Sequence, residues 1–548
     1  MKKKFKRFYN PKIILSFIFL LALVLRFYHL GTNPPSPYWE EAALGYDAYS
    51  ILKTGKDFHG NKFPLIAFES FGDYKPSLYF YATVPAIAVF GLNTFAVRFP
   101  SAFFGSLTVL LVYFLVKQFF SKPASPTGGL NSLALISSFL LAISPWHLQL
   151  SRVGFEANLG LFLVVLGAWL FLKGLHKSIW LIPAVASWAL SLYTYHANRI
   201  FIPLLGLAFG VFFFKKLLQK KQKSLAALVI FIFLCLPLAV RLNDPTIKQR
   251  FLETSVFSTI DPVIKSNQLI VADGNTRLSR LIHHRFWHYK DIFIDHYLDQ
   301  FTFDFLFLSG DTNPRHSTQL IGSLYLIQLP LLIYAFLSAF RKKDKKILPL
   351  IIWLLLAPIP AGLTKATPHA LRSLPMLIPL TILSAYGLTE LIKLKKKYIL
   401  LALVVFVFII LAFEFNRYLS IYHKNYPQEY SSHWQYGYKE MANYVNQHQE
   451  KYDNIFITRK LGRPSIYYWF YTKTDPQKVQ EINNKVNKDQ GEYLQFNNIF
   501  FGDLFPCAAS NAPNLIVISA DQELPEKGTL LKEIKDLNQQ PVFKIYEI

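Results

Sequence analysis

The chain has 548 residues, 52% of them hydrophobic and 16% aromatic, with a formal net charge of +24. That apolar content falls in runs of about 17–25 residues, which excludes an ordinary soluble enzyme and predicts a polytopic α-helical membrane protein. The positive charge does not point to nucleic acid, because Lys and Arg fall in short clusters between apolar runs, as they do in cytoplasmic loops.

In chain order, the basic start Met1-Lys2-Lys3-Lys4-Phe5-Lys6-Arg7 precedes an apolar run from Ile13 to Leu25. No small-residue cleavage site follows, so the segment reads as an uncleaved first span. Further spans are predicted near 97–119, 131–147, 157–173, 178–194, 199–215, 225–241, 319–340, 347–363, 373–391 and 398–415, eleven with the first at 13–30. The run Leu78–Phe90 is shorter and carries Pro85.

Charge decides whether that run crosses. With the N-terminus cytoplasmic and Leu78–Phe90 not crossing, the inner loops collect Lys117, Lys122, Lys173, Lys177, Lys215, Lys216, Lys220, Lys221 and Lys223. They also collect Arg341, Lys342, Lys343, Lys345, Lys346, Lys393, Lys395, Lys396 and Lys397, while the short outer turns hold only Arg152, Arg199, Lys365 and Arg372. Crossing would reverse the positive-inside bias of every later loop, so Leu78–Phe90 is predicted to lie at the outer interface.

The predicted organisation is a membrane domain over 1–415, with outer loops at 31–96 and 243–318, and an extracytoplasmic α/β domain over 416–548. In that tail, Tyr438–Gln449 has helical spacing. Asn454–Thr458, Ser465–Tyr471, Asn498–Phe501, Leu515–Ser519 and Val542–Ile548 read as short strands. The tail offers no catalytic pattern. Cys235 and Cys507 give no disulfide framework, and the histidines of Leu281–His288 match no metal-ligand spacing and read as interfacial packing with Trp287.

The chemistry-bearing segment is Pro34-Pro35-Ser36-Pro37-Tyr38-Trp39-Glu40-Glu41-Ala42, directly after the first span. Adjacent carboxylates at a membrane surface lose solvation and need a reason to be there. The few outer charges recur at the mouths of spans: Asp73 and Lys75, Arg152 and Glu156 four residues apart, His196 and Arg199, Arg315 and His316, His369 and Arg372. Cations delivered to one level of the membrane suit a phosphate group, since Arg offers a planar fork of donors and Lys a compact charge.

These residues carry a family resemblance. Tyr38-Trp39-Glu40-Glu41-Ala42, Gly55, Gly60, Asp73-Tyr74-Lys75-Pro76, Phe90-Gly91 and Arg98 resemble the first outer loop of glycosyltransferase family 39, and Ser151–Glu156 and the run ending at Arg199 resemble further family segments. That family includes the protein O-mannosyltransferases and is similar to the lipid A aminoarabinose transferases, all of the C-type glycosyltransferase fold. The likeness covers about residues 10–395. It implies an inverting, metal-independent transfer of a sugar from a polyprenyl-phosphate carrier to a protein, lipid or glycan acceptor outside the cytoplasm, with no cofactor.

Carried over by position, Glu40 stands where the family has aspartate, and Glu41 on its glutamate. The extra methylene leaves the base open among Glu40, Glu41 and Asp73, with Glu40 expected to take the proton and Glu41 to orient the acceptor. The resemblance puts Lys75 on the carrier phosphate. Asp73, Arg152, Glu156, His196, Arg199, His316 and Arg372 are expected to line the substrate site, and no residue to bind metal. A transporter or flippase is the alternative class, but the span interiors are nearly free of charge and show no repeat.

Overall fold

The structure is a computed structural model that describes residues 10–120, 128–241, 252–393, 397–483, 485–503, 513–524 and 528–548. The predicted basic positions Lys2 to Arg7, Lys122, Lys395 and Lys396, the opening of the 243–318 loop, and Cys507 lie outside them.

Among the described residues, six helices are long and apolar enough to cross a membrane: Thr94–Phe120, Glu156–Gly174, Lys221–Val240, Lys345–Gly362, Leu374–Leu391 and Leu401–Glu429. Asn131–Ile143 and Pro145–Ser151 form one further apolar pair, bent by 55°. The break falls at Pro145, whose ring removes a donor from the helical ladder. Ser178–Leu192 and Asn198–Phe212 are shorter apolar helices, as is the 13-residue Leu78–Phe90. At 1.5 Å per residue, Leu78–Phe90 reaches only about 20 Å, short of a ~30 Å hydrocarbon core. The chain is thus a multi-pass helical membrane protein.

The chain divides into two compact units. The first comprises residues 1–25, 104–150 and 157–418. Its centre is Leu374–Leu391, in which 14 residues from Leu377 to Glu390 are buried. Gln328–Lys342 packs against this helix so closely that a Cβ on Gly387 would stand 2.0 Å from the Leu331 carbonyl oxygen. Glu390, near the end of the same helix, is neutralised by Lys342 and by Lys393 at 2.6 Å. Lys221–Val240 instead exposes Leu225, Val229, Phe233 and Leu236, an apolar surface suited to lipid.

The second unit comprises residues 26–103, 151–156 and 419–548. It joins the helix Trp39–Thr54, a hairpin of Ala67–Ser70 and Asp73–Pro76, the helix Leu78–Phe90 and the C-terminal residues. A six-stranded mixed sheet runs in the order Gln495–Phe496, Ile499–Phe501, Asn454–Ile457, Asn514–Ser519, Pro541–Glu547, Thr529–Lys535. Asn454–Ile457 lies parallel to both its neighbours. Asn514–Ser519 is buried along its whole length, which is why it reads as an unbroken apolar run.

Four of the predicted strands and the predicted helix at 438 are present within a few residues. Ser465–Tyr471 is not a strand but the core of the helix Pro464–Thr472. An apolar run of that length fits either element when buried on all sides. Pro464 at the first helical position and Lys473 in the left-handed region at φ 54° bound it as a helix. Thr529–Lys535, a largely exposed edge strand, has no apolar run to announce it.

Candidate active site

The proline run 34–37 keeps the chain out of helix until Tyr38, whose backbone is extended at φ −78° and ψ 165°. The helix Trp39–Thr54 then begins with Glu40 and Glu41 in its first turn, where exposed backbone N–H groups favour negative charge. Consecutive helical residues point about 100° apart, and the two carboxylates go to different surroundings.

Glu41 points into the unit and is fully buried. Its Oε1 accepts from Arg98 Nε at 2.9 Å and from the Gly154 amide at 2.8 Å, and its Oε2 accepts from Arg98 Nη2 at 3.0 Å. Arg98, also fully buried, spends its remaining donors on the carbonyls of Leu30 (3.2 Å), Pro34 (2.7 Å) and Ser36 (2.8 Å). Its guanidinium carbon lies 5.7 Å from the Trp434 ring centre. The Glu41–Arg98 pair therefore fixes the shape of the proline loop.

Glu40 is about one-third exposed, and its Oε1 accepts from Lys75 Nζ at 2.8 Å. Lys75 also lies 3.4 Å from Asp73 Oδ2. The hairpin turn sets this geometry. Phe71 and Gly72 both have positive φ, 54° and 76°, the signature of a two-residue turn matched to strand twist. With Ser70 opposite Asp73, the alternation of a strand puts Asp73 and Lys75 on one face.

Arg152 is buried and donates to the carbonyls of Arg26 (3.3 Å), Tyr28 (2.7 Å) and Asn33 (3.1 Å) and to the Tyr422 hydroxyl (3.1 Å). Like Arg98 it braces the loop that leads to the acidic helix. Glu156 opens the helix Glu156–Gly174.

The other expected residues belong to the first unit. His196 and Arg199 flank the start of Asn198–Phe212, and Arg199 Nε donates to the Leu192 carbonyl at 3.2 Å. Its Nη2 has no hydrogen-bond partner among the described residues. Arg372 Nη1 donates to Thr364 Oγ1 at 2.7 Å. His316 lies 2.8 Å from Asp311 Oδ2, and His369 4.0 Å from the same oxygen. Burial pushes the Asp311 carboxyl up, but His316, His369 and the Asn313 amide outweigh it and hold it at about 2.

Sequence reasoning left two of these residues unassigned to the site. Arg98 carried a signal, being a lone charge within an otherwise apolar run, which demands a buried partner. Asp311, five residues before His316, belongs to no recognised ligand motif.

This architecture is the C-type glycosyltransferase fold. The crystal structure of ArnT from Cupriavidus metallidurans bound to undecaprenyl phosphate matches over 97% of this chain and 97% of that one, with a TM-score of 0.54 at 12% identity. Its apo structure matches over the same shares with a TM-score of 0.56 at 10% identity. Within that fold class, residues 74–240 match the sequence profile of the dolichyl-phosphate-mannose-protein mannosyltransferase family, in agreement with the resemblance read from the first outer loop. Among curated proteins, "Putative mannosyltransferase YkcB" of Bacillus subtilis (strain 168) is 29% identical over 31% of this chain. The similarly named YycA of the same organism is 28% identical over 33% of it. The aligned stretches span only 22% and 24% of those two relatives.

Proposed function

We propose that the chain is an inverting glycosyltransferase that moves a sugar from a polyprenyl-phosphate carrier to a hydroxyl acceptor on the extracytoplasmic face of the membrane. The observation that carries this reading is the Glu40–Lys75–Asp73 cluster at the start of the acidic helix, within a fold shared with a protein solved with undecaprenyl phosphate. The family profile, described by a dolichyl-phosphate-mannose donor, supports the same donor class. The proposed orientation has the N-terminus and the basic loops cytoplasmic.

In the absence of donor, Lys75 neutralises Glu40. The incoming carrier phosphodiester, a single negative charge shared over two free oxygens, competes for the ammonium with a carboxylate that is about one-third exposed. Glu40 then becomes the base. The acceptor oxygen attacks the anomeric carbon from the face opposite the phosphate, its proton passes to Glu40, the bond from anomeric carbon to phosphate oxygen breaks, and the lipid phosphate leaves with both electrons. Lys75 stabilises the charge that grows on that oxygen, which lowers the barrier more than it strengthens ground-state binding. Glu41, with both oxygens committed to Arg98 and Gly154, positions the loop rather than the acceptor. Arg199, His196, His316 and Arg372 are secondary candidates for anionic groups of the substrate.

The test is transfer from a polyprenyl-phosphate-linked hexose in proteoliposomes, with folding checked by thermal melting. Glu40→Gln should cut turnover by at least about 100-fold, the scale of general-base catalysis, and Lys75→Ala should abolish the stabilisation conferred by undecaprenyl phosphate. Wild-type turnover in both variants would overturn the assignment.

A further inference from the structure

Asp311, His316 and His369 each offer one metal-ligating atom, and these atoms all lie within 4.8 Å of one another. The cluster draws on two segments distant in sequence. Asp311 and His316 come from the loop after Asp304–Leu308, and His369 from the turn before Leu374–Leu391. Asp311 and His316 are buried and His369 nearly so.

The carboxylate is held in place by backbone amides as well as by His316. Asp311 Oδ1 accepts from the Asn313 amide at 2.8 Å and Oδ2 from the Ala370 amide at 2.7 Å. The His369 amide donates to Gln300 Oε1 at 3.1 Å, and the Gln319 side chain donates to the Asp311 carbonyl. Such backbone anchoring is what orients ligating carboxylates and imidazoles at protein metal sites. The two imidazole rings lie 5.0 Å apart, inclined by 35°.

Two imidazoles and one carboxylate form a donor set that suits zinc and its neighbours, and that hard ions such as magnesium and calcium do not favour. Bonds of about 2.0–2.2 Å in a tetrahedron place ligand atoms roughly 3.3 Å apart. Asp311 Oδ2 and His316 Nδ1 share a hydrogen bond at 2.8 Å, which an ion would replace by bonds to both atoms, and His369 Nδ1 lies 4.0 Å from the same oxygen. Beside His316 is a cavity of about 10 Å³, also walled by Ser317 and Thr318, on the scale of one water molecule. Thr318 Oγ1 is buried with no hydrogen-bond partner among the described residues. One water in that space would satisfy the hydroxyl.

We propose that Asp311, His316 and His369 bind one divalent transition-metal ion of the zinc class, which clips the 309–317 loop to the turn that carries Arg372. The ion takes no part in the transfer step. It fixes the outer ends of two segments of the first unit, and the proposal stands independently of the glycosyltransfer reading.

The test uses the full-length protein in detergent, purified without chelators. Elemental analysis should find about one zinc per chain in the wild type and loss of it in His316→Gln and His369→Gln. Zinc added alone to chelator-stripped protein should raise the melting temperature of the wild type and not of the variants. Cobalt added to stripped wild type should give the visible absorption of a four-coordinate site. His369→Gln, at the least buried of the three positions, serves if substitution at His316 prevents folding. No zinc in the wild type with no shift on adding zinc would overturn the proposal, as would equal zinc content in wild type and His369→Gln.

Discussion

Glu40 and Glu41 are neighbours in sequence with opposite surroundings, Glu40 about one-third exposed beside Lys75 and Glu41 fully buried against Arg98. Glu41 and Arg98 form a fully buried bidentate pair, and removing one partner of such a pair leaves the other charge desolvated at a cost of about 3–5 kcal/mol. Arg98→Met should therefore lower the thermal stability of the protein severely, with activity lost in proportion to folded protein. Glu40→Gln should melt close to wild type, because its partner Lys75 keeps Asp73 nearby. Melting both variants side by side distinguishes the two environments. His59 gives a pH dependence of the same unit. Burial, aided by the Lys488 ammonium, lowers its pKa from the ordinary 6.5 to about 3. Between those values the unfolded chain binds a proton that the folded chain refuses, so stability falls as pH drops from 6.5 towards 3. His59→Leu should flatten the melting temperature over that window, and an unchanged slope would show that His59 is not the group responsible.

At the scale of elements, the hairpin is the device that brings Lys75 to Glu40. Its turn requires positive φ at Gly72, and the tip is packed on the C-terminal residues: the Arg463 guanidinium lies 5.2 Å from the Phe71 ring centre, and Gly491 abuts the Gly72 amide. Gly72→Ala imposes a left-handed conformation that costs roughly 1–2 kcal/mol. If the turn relaxes to escape it, Lys75 shifts and affinity for undecaprenyl phosphate should fall by about tenfold or more, measurable by titration of the purified variant. The acidic helix is not among the elements the sequence predicts, although the proline run marks its start and Gly55 its end. The apolar helices are legible there, because hydrophobic period is a local signal. The hairpin was not read, since two four-residue strands without alternation look like loop. Nor could sequence show that Arg152 is absorbed by the carbonyls of residues 26–33, because that depends on contacts more than a hundred residues apart. The helix at 464–472 failed for a related reason, as burial on all sides erases the period that tells helix from strand.

At the scale of the whole molecule, the C-terminal residues complete the unit that holds the acidic helix. Tyr467 donates to the Pro37 carbonyl at 3.1 Å, the Tyr46 hydroxyl donates to the Thr474 carbonyl at 3.0 Å, and Gln480 Nε2 reaches Ser50, Thr54 and the Asp57 carbonyl at 2.9 Å. Phe470 packs so closely on Gly45 that a Cβ there would stand 2.8 Å from its ring. Removing residues 419–548 would uncover this face of the helix, strip the Tyr422 hydroxyl from Arg152 and take Trp434 from Arg98. A chain truncated after Tyr418 should insert in the membrane through its apolar helices and yet show no transfer. A milder variant, Gly45→Val, should weaken transfer in the full-length chain by driving the helix away from both Val97 and Phe470. If the truncated protein kept wild-type turnover, the acidic helix would not need its C-terminal packing, and the tail would serve some purpose other than shaping the Glu40–Lys75 site.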